Sequence, residues 1–207
     1  MMRKYLFTLL ILLTTPLFAA DYEAGIRHLS LSPMASGDFA GGDVDVVSSR
    51  GFGATLEVFW TERVSTEAAA TFFNPAAFLY PATPPPGDVD LGTLGIDIYS
   101  LSGRYHFRPH ARFSPFAGAG AARVTFGDLE DRFGNDVEMR FGAATTLFAE
   151  GGVRYRLRPN VFLDATVSYM PLDATVTSVR NDDPRITLPS RLPLDPATIS
   201  VGAAWRF

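Results

Sequence analysis

The segment Gly51-Phe52-Gly53-Ala54-Thr55-Leu56-Glu57-Val58-Phe59-Trp60 alternates with a period of two. Phe52, Ala54, Leu56, Val58 and Trp60 fall on one face, and Gly53, Thr55, Glu57 and Phe59 on the other. Successive side chains of a strand point to opposite sides, so this pattern predicts a strand with one apolar and one more polar face. Thr61-Glu62-Arg63 makes a short turn. Val64 to Phe73 then returns, with Ser65, Glu67, Ala69 and Thr71 on its polar face. A Pro-rich loop from Pro75 to Gly87 follows.

The same unit repeats along the chain. Leu91 to Phe107 sets Tyr99, Leu101, Gly103, Tyr105 and Phe107 against Ser100, Ser102, Arg104 and His106. After a turn at 108–112, Phe113 to Phe126 returns; residues 127–142 read as a charged loop. Thr145 to Leu157 places Leu147, Ala149, Val153, Tyr155 and Leu157 opposite Glu150, Gly152, Arg154 and Arg156. Arg158-Pro159-Asn160 is a tight turn into Val161 to Val176, a polar loop runs to about residue 196, and a last strand ends the chain at Phe207. Tyr22 to Pro33 supplies a poorer first strand. That makes eight strands whose connections alternate, three short and four long. An even strand number, with short turns on the periplasmic side and long loops outside, is the arrangement of outer-membrane barrels. The apolar faces 52–60, 99–107, 161–169 and 199–207 each span nine residues, against the ~9–11 that a tilted strand needs to cross hydrocarbon.

Composition agrees with a β protein and narrows its chemistry. The 207 residues include 18 Gly, 15 Pro and 26 aromatics, and 47% are apolar, so the chain is not disordered. Past the N-terminus no apolar run is long enough for a spanning helix. A formal charge of −4 gives no electrostatic case for nucleic acid. The absence of Cys excludes a disulfide framework, a thiolate zinc site and a Cys nucleophile. At the N-terminus, Arg3 and Lys4 precede an apolar run of about 13 residues and the small residues Ala19-Ala20. This reads as a secretory signal over residues 1–20, with the barrel spanning 21–207.

Alternation alone does not say which face is inside; a lipocalin-like barrel puts the apolar face in, a membrane barrel puts it out. Three features point outward. Trp60, Tyr105, Phe107, Tyr155, Trp205 and Phe207 gather at the turn ends, where an interfacial girdle belongs. Charges on the polar parity balance, with Glu57, Glu67, Glu150 and Asp164 against Arg104, Arg154, Arg156 and Arg206, as a closed interior requires. The chain ends on Gly202-x-x-Trp205-x-Phe207, with Phe207 on the apolar parity, which resembles the C-terminal sorting signal of outer-membrane barrels.

The polar parity turns apolar toward the loop end: Phe73, Leu94, Ile96, Ile98, Val124, Phe126, Phe148, Met170 and Leu172 all fall inward there. The expected interior has two layers: a charged plug of Glu57, Glu67, Arg104, Glu150, Arg154, Asp164 and Arg206 near the turns, and an apolar layer above it. Eight strands leave room for side chains or for one small ligand, so the upper layer is either a cup for a hydrophobic molecule or a dry core. Pro171, within the strand read from Val161 to Val176, removes a ladder donor. It either opens a lateral exit to lipid, or sits where its nitrogen needs no partner or where the strand has already left the ladder.

Several blocks resemble the OmpW family of small outer-membrane porins. Arg104-Tyr105-His106-Phe107 followed by Ser114-Pro115-Phe116-Ala117-Gly118-Ala119-Gly120 is similar to one block; Glu150 to Tyr155 and Val161 to Thr175 resemble later ones. Asp195-Pro196 and Val201 to Phe207 resemble the ending. The likeness runs from about Ile96 onward and implies an eight-stranded barrel with a hydrophobic channel for small hydrophobic molecules. Asn74-Pro75 and the Pro81 to Pro86 loop depart from the family pattern at the loop-side gate.

Expected partners are outer-membrane lipid, a small hydrophobic ligand and, during biogenesis, the barrel-assembly machinery. The expected state is monomeric, without cofactor, metal or catalytic residue. A structural barrel acting through its loops is the alternative. A lipid-modifying enzyme would need His, Ser and a carboxylate to converge at the lipid boundary; His28 and Ser30 share one face of the first strand, but no motif singles out a Ser. His106 and His110 are separated by a turn, and the acidic pairs Glu130-Asp131 and Asp182-Asp183 lack calcium-loop spacing, so none reads as a metal site.

Overall fold

Eight strands pair edge to edge around a closed ring in the computed structural model, which describes residues 21–32, 37–39, 42–46, 48–81, 89–127, 137–180, 187–193 and 195–207. They are β1 (Asp21–Ser32), β2 (Ser49–Phe59), β3 (Val64–Phe73), β4 (Ile96–His106), β5 (Phe113–Phe126), β6 (Ala144–Arg158), β7 (Val161–Tyr169) and β8 (Ala197–Arg206). Each pairs antiparallel with its sequence neighbours, and β1 closes on β8 through pairs such as Ile26 with Ala203. Closure gives every barrel strand a neighbour on both sides, as a sheet surrounded by lipid requires.

The apolar parity faces out. Leu56, Leu101 and Val201 are 47%, 57% and 56% exposed, whereas Glu57, Ser102 and Ser200, one step away, are buried. Rings cluster at both rims of this outer surface. Tyr105 packs edge-on against Phe107 and Phe113 against Tyr155 at the turn end, while Phe52, Phe72 and Tyr99 form a cross-strand series nearer the loops. Trp60 Nε1 donates to Thr66 Oγ1 at 2.8 Å, so the ring lies on the barrel wall with its polar atom satisfied.

Three turns join the hairpins at one end. In the first, the amides of Trp60 and Thr61 donate to Val64 O, and Thr61 Oγ1 accepts from the amides of Arg63 and Val64. Proline and asparagine at 159–160 make the tightest, between β6 and β7.

At the other end the chain builds more than loops. Four segments, Gly37–Phe39, Gly42–Val46, Ala76–Pro81 and Val89–Thr93, form one small sheet. Val137–Phe141, Asp173–Arg180 and Thr187–Pro193 form another. Two strands expected to be long are therefore divided. The segment read as Leu91 to Phe107 breaks at Leu94-Gly95, where the Leu94 amide donates to Pro75 O at 2.9 Å. The segment read as Val161 to Val176 leaves the barrel after Tyr169, so Pro171 lies between strands and not within one. A proline cannot donate to a ladder, and the chain changes sheets where that donor is missing. Residues 1–20, read as the export signal, and the pairs Glu130-Asp131 and Asp182-Asp183 lie outside the described residues.

Candidate functional site

The lumen is built in three layers, and sequence reading anticipated two. Nearest the turns is the charged floor. Register places Glu57 directly opposite both Glu23 and Glu67. Three carboxylates side by side on one wall repel; Arg154 reaches them from across the lumen, and Arg104 and Arg206 from the neighbouring strands. Arg154 Nη2 donates to Glu57 Oε2 at 2.5 Å, and its Nε to Asp164 Oδ1 at 2.9 Å. Arg104 holds two carboxylates at once: Nη1 and Nη2 grip Glu67, while Nε and Nη2 bind Glu150 at 2.8 and 2.6 Å. Arg206 Nε donates to Glu23 Oε1 at 2.6 Å. All seven residues expected in the plug lie in this one network.

Sequence reading missed Glu23 and Arg27 on β1; Arg27 Nη1 donates to Glu67 Oε1 at 2.8 Å. It also missed Ser65 and His106, which both contact Glu57 Oε1, and the aromatic bed below. The guanidinium of Arg206 lies 4.6 Å from the Phe59 ring centre and 4.9 Å from that of Phe162, and that of Arg104 lies 4.8 Å from Phe116. These guanidiniums are thus paired at the edge and stacked at the face. Arg156 takes no part; its Nη2 donates to Pro109 O at the turn end. Below the floor opens a vestibule of about 420 Å³ that Arg154 and Arg206 roof.

Glycine opposite arginine makes the floor possible. Gly202 pairs with Arg27, and a Cβ there would fall 2.6 Å from Arg27 Cγ and 2.4 Å from the Ile26 carbonyl oxygen. Of the three residues assigned to the sorting signal, Gly202 therefore faces inward and gives an arginine stem its space, whereas Trp205 and Phe207 are exposed outward. We expect Gly202→Val to destabilise the barrel by about 1–3 kcal/mol, the usual range for overpacking. Urea unfolding of protein refolded into vesicles without assembly factors measures this; an unchanged midpoint would leave Gly202 a role in sorting alone.

Above the floor comes a belt of hydroxyls, which nothing in the sequence separates from the rest of the polar parity. Thr166 pairs with Ser200, and Ser168 with Thr198, whose hydroxyls bond each other.

The third layer is apolar. Of the nine expected lumen residues, Phe73, Leu94, Ile96, Ile98, Val124, Met170 and Leu172 are buried against one another, and Phe126 and Phe148 pack on them. Leu29, Leu31 and Ala122 join them. Phe73 and Leu94 are 1% exposed and Val124 is fully buried, so side chains fill this layer.

Beside the apolar layer the wall is interrupted. The β6–β7 ladder ends at Ala149 with Tyr169, yet β6 runs on to Ala144, paired only with β5. The next backbone contact across this seam is Gly142 N to Thr175 O, at 2.8 Å. Between them lies a window crossed by a hydrogen bond from Thr146 Oγ1 to the carbonyl oxygen of Pro171. Met170 and Leu172 turn instead toward β8, their amides donating to Pro196 O and Asp195 Oδ1, both at 3.1 Å. Pro171 thus sits at the window's edge, with Phe148, Met170 and Leu172 of the apolar layer beside it.

His28 and Ser30 face outward and are exposed, His106 is in the floor, and His110 is exposed on Glu62.

A family model described as the OmpW family matches residues 21–207. Outer membrane protein AlkL of Ectopseudomonas oleovorans is 30% identical over 107 residues, covering 52% of this chain and 44% of that protein. The chain thus spans under half the length of that relative. Among solved structures, the crystal structure of outer membrane protein OprG from Pseudomonas aeruginosa superposes with a TM-score of 0.77 at 19% identity, covering 91% of this chain and 96% of the other. The solid-state NMR structure of AlkL in DMPC bilayers superposes with a TM-score of 0.64 at 19% identity, covering 91% and 90%. At these identities the structural likeness is one of fold.

Proposed function

Because the chain belongs to the OmpW family of bacterial outer-membrane barrels, we propose that it passes small hydrophobic molecules from the cell exterior into the membrane plane. In this family setting the three turns face the periplasm and the long connections face outside. A hydrophobic molecule entering from the loops meets the apolar layer, where Met170 and Phe148 yield by changing rotamer; methionine is unbranched and adapts readily. It does not continue downward, since the ion-paired floor would have to lose its hydrogen bonds to let an apolar group through. The remaining way out is sideways, through the window between β6 and β7. The observation that carries this reading is the interrupted ladder directly beside the apolar layer. No enzymatic step belongs to it, and the barrel acts as a monomer embedded in lipid.

A second reading, a structural barrel acting through its loops, draws on the filled apolar layer. One experiment separates them. The natural chain has no cysteine, so Thr146→Cys with Pro171→Cys gives a clean pair for a short bis-maleimide bridge. We expect bridging to reduce labelled n-octane uptake by cells at least tenfold, while the unbridged double variant retains it. Equal uptake with and without the bridge overturns the lateral route, and uptake no faster than in cells lacking the protein favours the structural barrel.

A further inference from the structure

Between the charged floor and the apolar layer lies a cavity of about 60 Å³. Its upper wall is Leu29, Phe73, Ile98 and Met170, and its lower wall carries the hydroxyls of Thr166 and Ser200. Thr166 is 6% exposed, and among the described residues its Oγ1 has no hydrogen-bond partner. An unpaired buried hydroxyl is unfavourable, and any small polar group that reaches it corrects the deficit. The cavity has room for about two water-sized groups. That is too little for a whole ligand and suits the end of one.

We propose that this cavity is a head-group site, and that among hydrophobic molecules the barrel favours neutral amphiphiles bearing one small hydroxyl or carbonyl group over plain hydrocarbons. The head sits against Thr166 and Ser200, and the hydrocarbon tail lies in the apolar layer above. The charged residues lining the site already have partners: Arg27 is bonded to Glu67, and Glu150 to Arg104 and Ser102. An ionic head would have to break one of these pairs, whereas a neutral one completes the Thr166 hydrogen bond and disturbs none of them. The inference rests on the transport reading above and specifies its substrate class.

The test uses two probes of equal chain length, 1-octanol and n-octane, and the near-isosteric variant Thr166→Val. Uptake is measured in cells making the chain, with uptake in cells lacking it subtracted. We expect Thr166→Val to raise the half-saturating concentration of 1-octanol about fivefold, the worth of one ordinary hydrogen bond, and to leave that of n-octane unchanged. In the unaltered barrel in lipid nanodiscs, the carbinol protons of 1-octanol should give nuclear Overhauser effects to the Thr166 methyl group. The terminal methyl protons should contact Leu31 and Ile96 instead. This second measurement needs no variant.

If Thr166→Val shifts both probes equally or neither, or if the terminal methyl contacts Thr166, the head-group site is overturned while transport stands. The cavity then holds water. If neither probe enters faster than in cells lacking the chain, transport itself fails and this inference falls with it.

Discussion

Arg104→Ala is expected to lower the stability of the folded barrel by about 3–5 kcal/mol, the range for removing one partner from a buried charge network. The Arg104 side chain is fully buried, and it neutralises Glu67 and Glu150 together. Alanine leaves Glu150 with Ser102 as its hydrogen-bond donor, and leaves Glu67 dependent on Arg27. Lysine should not rescue the variant, because one ammonium does not supply three guanidinium nitrogens in a fixed plane. Adding Glu150→Gln to Arg104→Ala should recover part of the loss by removing an uncompensated charge. Urea unfolding in phospholipid vesicles, followed by the gel mobility of folded against unfolded protein, gives the numbers. A wild-type midpoint for Arg104→Ala would mean that the floor is not held by its ion pairs.

This floor shows what sequence could and could not reveal. On β2 the alternation is unbroken, so the sequence alone puts Glu57 inward and Leu56 outward. On β1 the outward positions include Ala24, His28 and Ser30, so the two faces differ little in polarity. Glu23 and Arg27 therefore carried no mark of the interior. Parity also survives a change of partner. Leu94 and Ile96 are both buried, as one continuous strand would place them, although the chain leaves one sheet and enters another between them. Periodicity reports which side a residue faces and is silent on which strand lies beside it. Pro171 illustrates the same point: its missing N–H announced that a ladder ends, but only the pairing shows that β6 is the strand left unpartnered. The division of the interior into three layers was hidden for a different reason. Thr166 and Ser200 share the polar parity with Asp164 and Arg206, and only register separates a hydroxyl belt from the charges beneath it.

The apolar layer is the centre of the functional account, and charging it is the most direct way to close it. Ile98 and Met170 are 6% and 5% exposed and belong to the same cluster. A carboxylate at either position carries hydration that a hydrophobic solute cannot displace without a large penalty. Labelled n-octane uptake, normalised to the amount of folded barrel on the same gel, should fall at least tenfold in the Ile98→Asp, Met170→Asp double variant, to the level of cells without the protein. Uptake equal to that of the unaltered barrel would contradict passage through this layer.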